Sequence, residues 1–81
     1  PDDSIVVAAR DLAAGESIEI GAGSVVVRQP VGLGHKLAIV SVPPGAPVRK
    51  YGQVIGYATL PIGIGDHVHS HNLTNGDAQG D

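Results

Sequence analysis

Short runs of aliphatic residues alternate along this chain with turns that contain glycine or proline. The runs are rich in Val and Ile, which favour pleated strands, and some alternate apolar and polar residues, as residues 17–20 (SIEI) do. No segment carries the ~3.6-residue apolar stripe of an amphipathic helix. The pattern therefore predicts an all-β fold of short, twisted strands, with at most one helical turn, around residues 41–44.

Seven of these runs are predicted to be strands, and one turn sequence recurs between them. The predicted strands are residues 5–9, 17–20, 24–28, 36–40, 47–50, 54–58 and 67–71. The recurring turn has an apolar residue, a small or proline-containing pair, glycine, and then a β-branched residue, at 12–18, 42–48 and, in longer form, 60–68. We expect one compact, barrel-like domain over residues 1–73, followed by a polar flexible tail or linker at 74–81.

Composition narrows the function classes. The chain has 81 residues, no cysteine, and two tyrosines as its only aromatic residues, so its core must be built from Val, Ile, Leu and Ala. A net charge of −3 without a basic stripe argues against nucleic-acid binding. No apolar run approaches the ~18 residues of a membrane span. The lack of a targeting segment and of cysteine favours the cytoplasm.

Three alternating histidines near the C-terminus, His67, His69 and His71, are the strongest candidates for metal binding or acid–base chemistry. Neutral imidazole is a common metal ligand and a general acid or base near pH 7. On a straight strand the three rings would share one face, with neighbours ~7 Å apart and the outer pair ~13 Å apart. A straight strand therefore does not bring all three onto one ion, and the alternative is an exposed polar strand whose histidines are incidental.

Two further segments combine charge with turn geometry. His35 and Lys36 follow a Gly-Leu-Gly turn whose amide groups suit an anion, although an ordinary hairpin turn explains the same sequence. Residues 49–52 (RKYG) suit a carboxylate ligand through their charges and phenol, or they form a surface strand end in which Tyr51 fills the edge of the core. No nucleophile, acid/base pair or other complete catalytic constellation can be assembled from the sequence, and we expect no catalytic residue in this chain.

Three blocks of the sequence carry a family resemblance. They are GHKLAI at residues 34–39, VxKYGxxIGxA at 48–58 and GxHVHxHN at 65–72. In this order and spacing they resemble the N-terminal domain of the altronate/galactarate dehydratase family, over residues from about 4 to 73. The resemblance implies a compact SAF-type domain with the β-clip fold.

The resemblance also implies a function. The family dehydrates sugar acids in carbohydrate catabolism, and its sulfolactate sulfo-lyase branch carries the small domain as a separate subunit. A proton α to a carboxylate is removed and a β leaving group departs, with a divalent metal, iron or magnesium, in the assembled enzyme. We therefore expect an accessory domain or small subunit that completes the site of a large catalytic lyase domain acting on an anionic sugar acid or sulfolactate-like substrate. It would not be a complete hydro-lyase alone, and a homo-oligomer stays open.

Within that resemblance, five residues are the expected substrate or metal contacts of a composite site: His69, His71, Asn72, His35 and Lys36. His69 and His71 are the expected metal ligands, whereas the position of His67 is the more variable one in the family pattern. The alternatives are a stand-alone carbohydrate- or metal-binding β-clip module, and a structural interaction domain.

Overall fold

The structure is a computed structural model that describes residues 3–74, and these residues form eight short β-strands without a helix. The strands are β1 (Ile5–Val7), β2 (Ser17–Ile20), β3 (Gly23–Val26), β4 (Lys36–Ala38), β5 (Pro47–Lys50), β6 (Gln53–Ala58), β7 (His67–Val68) and β8 (Leu73–Thr74). The predicted all-β fold is confirmed. Each of the seven predicted strands overlaps an observed one, and β8 was missed. The predicted tail at 74–81 lies, apart from Thr74, outside the described residues, and the predicted domain boundary stays a prediction.

Three small antiparallel sheets make up the fold. Their strand orders are β1-β4-β7, β2-β3 and β5-β6-β8. β4 is the central strand of the first sheet, with Ile5 of β1 opposite Ala38 and His67 of β7 opposite Leu37. Because β4 pairs with β7, residues just before β4 come to lie beside residues of β7 that follow much later in the sequence. No helix long and apolar enough to cross a membrane occurs within residues 3–74.

One turn type occurs four times, at residues 12–17, 31–36, 42–47 and 62–67. Each copy has a glycine at positive φ in the same position: Gly15, Gly34, Gly45 and Gly65, with φ of 88, 83, 84 and 91°. The next residue donates its N–H to the carbonyl three residues back, as Glu16 does to Ala13 at 3.1 Å and Asp66 to Gly63 at 3.0 Å. The predicted reuse of one turn is therefore confirmed, and the copy at 31–36 is an addition.

These turns divide the chain into two similar halves. Gly15 N–H donates to the Val27 carbonyl at 2.7 Å, and Gly45 N–H donates to the Ala58 carbonyl at 2.7 Å in the same way. The segments PVGLGHKL (30–37) and PIGIGDHV (61–68) occupy equivalent places, as do the hairpins β2–β3 and β5–β6. In this correspondence His67 stands where the first half has Lys36.

The core consists of two aliphatic clusters that exchange strands between the halves. One contains Ile5, Ala38, Val42, Val48, Ala58, Ile62 and Val68, and the other contains Ala8, Leu12, Val25, Val27, Val31 and Leu37. β1 thus gives Ile5 to the cluster of the second half, and β4 gives Leu37 to the cluster of the first half and Ala38 to that of the second. Each fully buried Val, Leu or Ile side chain contributes about 1.5–3 kcal/mol, so neither half keeps its core without the other.

Candidate functional site

Four imidazole rings gather at one edge of the β1-β4-β7 sheet. His35 lies in the turn before β4, His67 in β7, and His69 and His71 in the segment after β7. Ring centroids are 5.1 Å apart for His35–His67, 4.9 Å for His35–His69, 5.7 Å for His67–His69 and 5.4 Å for His67–His71. His35 Nδ1 and His67 Nε2 share a hydrogen bond at 2.9 Å. The pairing of β4 with β7 therefore adds His35 to the histidine row.

The histidine segment is bent, and the predicted strand over 67–71 is wrong beyond Val68. Residues 69–72 form a turn held by the Asn72 side chain, whose Oδ1 accepts the His69 N–H at 2.9 Å. Its Nδ2 donates to the His67 carbonyl at 2.9 Å. The bend brings the His71 ring to 5.4 Å from the His67 ring, where a straight strand would hold the two residues ~13 Å apart.

A cleft of about 210 Å³ opens beside this turn. It is lined by Gln29, Leu60, Pro61, Asp66, His67, His71 and Asn72. Leu60 and Pro61 give it an apolar side, and the other lining residues give it hydrogen-bonding groups. Of the predicted contact residues, His71 and Asn72 line the cleft. His35, Lys36 and His69 lie outside its lining, so the cleft and the ring cluster overlap only in part. Ligand contact at all five stays a prediction.

Two cleft residues, Gln29 and Asp66, were missed by the sequence-based site. Gln29 Oε1 accepts the His67 N–H at 2.8 Å, and Gln29 Nε2 donates to Asp66 Oδ1 at 3.2 Å. Asp66 Oδ2 accepts the Gly63 N–H at 2.7 Å, and Arg28 Nε lies 3.5 Å from Asp66 Oδ1. The carboxylate is thus partly neutralised by Arg28 beside the cleft. Only the turn-capping role of Asp66 was visible in the sequence.

The described chain offers histidine and acidic side chains as possible metal ligands. Imidazole suits divalent iron chemically, but within residues 3–74 no group of three or more His, Cys, Asp or Glu side chains is arranged to hold a metal ion. His35 Nδ1 and His67 Nε2, 2.9 Å apart, are joined by a hydrogen bond. These residues do not form a complete metal site, and metal ligation by His69 and His71 stays a prediction.

The electrostatics of the cluster centre on His67. Partial burial, and after it the neighbouring His35, His69 and His71, lower the pKa of His67 below its ordinary value of 6.5. A positive charge on this ring would be partly removed from water and would lie close to the other imidazoles. The folded domain therefore favours neutral His67.

This pKa predicts how stability depends on pH. The unfolded chain binds the His67 proton more readily than the folded one. The stability that depends on neutral His67 is therefore fully present above about pH 6.5 and is lost as pH falls through the lowered pKa. We expect Tm, measured by circular dichroism, to fall between pH 7.5 and 5.5, and to fall less in His67→Gln. Glu16→Gln is the control, because the lowered pKa of Glu16 acts below its ordinary 4.5. Equal slopes in the parent and His67→Gln would contradict the prediction.

The sequence of this chain matches one protein family and two of its curated relatives. A family model described as the altronate/galactarate dehydratase SAF domain matches residues 1–76. The chain is 46% identical over 70 residues to an altronate dehydratase of Escherichia coli (strain K12), and 37% identical over 70 residues to one of Bacillus subtilis (strain 168). Each match covers 86% of this chain but 14% of the relative, so the chain spans only a small part of the curated relatives that it matches.

Proposed function

Because this chain belongs to the family of altronate/galactarate dehydratase SAF domains, we propose that it is the accessory domain of a sugar-acid dehydratase. A larger catalytic part, on the same chain or on a separate one, would carry the remaining groups of the active site. One observation carries this proposal beyond family membership. The cleft beside the histidine cluster combines the hydrogen-bonding side chains of Gln29, His67 and His71 with an apolar side formed by Leu60 and Pro61.

The cleft supports a role in binding and orienting a hydroxylated anion. Its volume of about 210 Å³ is below the ~300–1,000 Å³ of typical small-molecule pockets, so it suits one part of a shared sugar-acid site. His67 and Gln29 offer hydrogen bonds to hydroxyl groups, and the exposed His71 is placed to exchange protons with a bound group. Altronate is the substrate named for the relatives. Galactarate and sulfolactate-type substrates are finer alternatives within the same proposal.

In such a dehydration a proton leaves the carbon α to the carboxylate and the β hydroxyl departs as water. We assign to this chain the hydroxyl side of the reaction: His71, which lines the cleft, holds a proton near the departing oxygen, and His69 belongs to the adjoining ring cluster. Positioned proton transfer of this kind contributes about 10²–10⁴-fold to a rate. A divalent iron or magnesium ion, when bound, would supply positive charge at the carboxylate. If such an ion were held here, His69 and His71 would join ligands from the larger part, because residues 3–74 alone do not complete a site; His71 would then be a ligand instead of the proton donor.

The test uses an intact-length chimera of the E. coli altronate dehydratase in which this chain replaces the matched segment. We expect the chimera to dehydrate altronate, and His69→Ala or His71→Ala to reduce kcat/KM at least tenfold without lowering Tm, because both side chains are exposed. Ser70→Ala is the matched control, since Ser70 lies exposed between them in the same turn.

Two results would overturn this proposal in different ways. Full activity in both histidine variants would remove the histidines from the function. A folded chimera that is inactive, while the E. coli enzyme treated in parallel is active, would remove the accessory role itself.

A further inference from the structure

Tyr51, at the tip of the β5–β6 hairpin, stands in an unfavourable conformation with its ring in solvent. Its φ is +57°, and it is the one described non-glycine residue at positive φ. The residue is 79% exposed, so the alternative that Tyr51 fills the edge of the core is wrong. A left-handed backbone costs free energy for any residue with a Cβ, and burial of the ring does not offset that cost here.

The other half of the chain shows that the fold does not need a tyrosine there. The equivalent hairpin, β2–β3, has Gly21 at the corresponding tip position, with a φ of +58°. Glycine adopts this conformation without strain, and Asn adopts it more readily than Tyr. A tyrosine is therefore not required at this hairpin position, although the two turns differ at their second residue, where Gly52 has a φ of +72° and Ala22 is not at positive φ.

Several contacts hold the tip of the β5–β6 hairpin in place. Asp3 Oδ1 accepts the Gly52 N–H at 3.1 Å, and Asp3 Oδ2 lies 3.5 Å from Lys50 Nζ. Lys50 Nζ also lies 4.7 Å from the centroid of the Tyr51 ring, within the range of a cation–π contact. Ser4 Oγ accepts the Arg49 N–H at 3.1 Å. These contacts fix the main chain of the tip, so Tyr51 would lose little main-chain freedom on binding, and aromatic residues are typical anchors of protein interfaces.

The surroundings of the ring indicate the chemistry of its partner. Val54, on β6, is 40% exposed, and the Arg49 side chain is exposed and makes no ion pair with any residue that the structure describes. An apolar ring with Lys50 Nζ 4.7 Å from its centroid, and with Arg49 two residues earlier in the chain, suits an apolar protein pocket with an acidic rim. The tip is also remote from the cleft. It lies at one end of β6, and Asn72 contacts the residue after the other end, roughly 17 Å away for five residues of strand.

We propose that the β5–β6 hairpin tip is a second docking surface, with Tyr51 inserted into an acidic-rimmed apolar pocket on the catalytic part of the dehydratase. This inference rests on the proposed function, because it takes its partner from it. The partner follows from size: a segment like this chain makes up 14% of each relative, so most of such a protein lies outside the domain and offers the facing surface.

Hydrogen exchange followed by mass spectrometry tests this docking without reference to activity. The isolated chain is compared with the intact-length chimera described above, at residues 49–54. We expect exchange there to be at least tenfold slower in the chimera, the protection to disappear in Tyr51→Asn, and Tm of the isolated chain to rise by a few degrees in that variant because strain is relieved. Gly21→Asn, at the equivalent tip, is the matched control and should leave the protection unchanged.

Each contrary outcome overturns the proposal. Equal exchange in the chain and the chimera, or protection that persists in Tyr51→Asn, removes Tyr51 as an anchor. A lower Tm in Tyr51→Asn makes the tyrosine structural. Protection that depends on the concentration of the isolated chain assigns the surface to a second copy. The proposed accessory role fails separately, through a folded chimera that does not dehydrate altronate.

Discussion

Gly65→Ala is expected to unfold most of the domain, whereas Gly45→Ala at the equivalent turn should cost only backbone strain. Both glycines have positive φ, +91° and +84°. A Cβ on Gly65 would lie 2.1 Å from the Val26 carbonyl oxygen and 3.0 Å from Arg28 Cγ, whereas a Cβ on Gly45 would meet nothing within 4 Å. The variant at 65 must therefore move β3 away from the turn that leads into β7.

The magnitudes separate the two variants. A left-handed backbone costs an alanine about 1–2 kcal/mol, and that is the whole expected effect at Gly45. Forcing atoms into a filled space adds about 1–3 kcal/mol or more at Gly65. A chain of this size has a total stability of about 4–12 kcal/mol, so the second variant loses a large part of it. Urea titration followed by circular dichroism measures the free energy of unfolding of both variants. Equal midpoints would show that the backbone at Val26 moves away from the new Cβ at little cost.

The loss at Gly65 should extend to the candidate site. Gly65 N–H donates to the Ala38 carbonyl at 2.8 Å, and its own carbonyl accepts the Arg28 N–H at 2.9 Å. The next two residues are Asp66 and His67, which line the cleft. Gly65→Ala in the chimera should therefore lose altronate dehydration together with its folded signal, and Gly45→Ala should keep both.

Much of the fold could be predicted from the sequence because its signals are local. β-branched runs and glycine turns are read within a few residues, so each predicted strand overlaps an observed one. The copy of the turn at 31–36 was not recognised as part of the repeat, because its Gly-Leu-Gly sequence also suits an anion-binding hairpin. β8 escaped because Leu73 and Thr74 form only a two-residue strand, defined by its pairing with Tyr57 and Ala58.

The site was predicted less completely because its geometry depends on distant pairings. His35 meets His67 only through the register of β4 against β7, which no local pattern specifies. Gln29 reaches His67 from a loop that contains none of the usual functional motifs. The period-two spacing of the histidines predicted a strand, but the Asn72 side chain satisfies the local backbone in a turn and overrides that spacing. Residue types were thus visible in the sequence, whereas their convergence was not.

Asn72→Leu should damage stability and activity together, because Asn72 builds the turn that carries the histidines. The residue is 4% exposed, and its side chain binds both the His69 N–H and the His67 carbonyl. Leucine would leave these two main-chain groups without their side-chain partner. Each loss costs about 1–3 kcal/mol where the group stays buried, so we expect a decrease of about 2–6 kcal/mol in the free energy of unfolding. Tm should fall by roughly 10 °C or more in a domain of this size.

Comparing the decrease in Tm with the decrease in kcat/KM distinguishes a positioning residue from a contact residue. If Asn72 acts through the turn, Asn72→Leu lowers Tm and kcat/KM together, whereas His69→Ala and His71→Ala lower kcat/KM at unchanged Tm. Ser70→Ala, exposed in the same turn, should change neither. Differential scanning calorimetry of each variant beside its altronate kinetics makes the comparison. Activity lost in Asn72→Leu at an unchanged Tm would show that the amide contacts the substrate directly, and that the bent histidine segment keeps its shape without it.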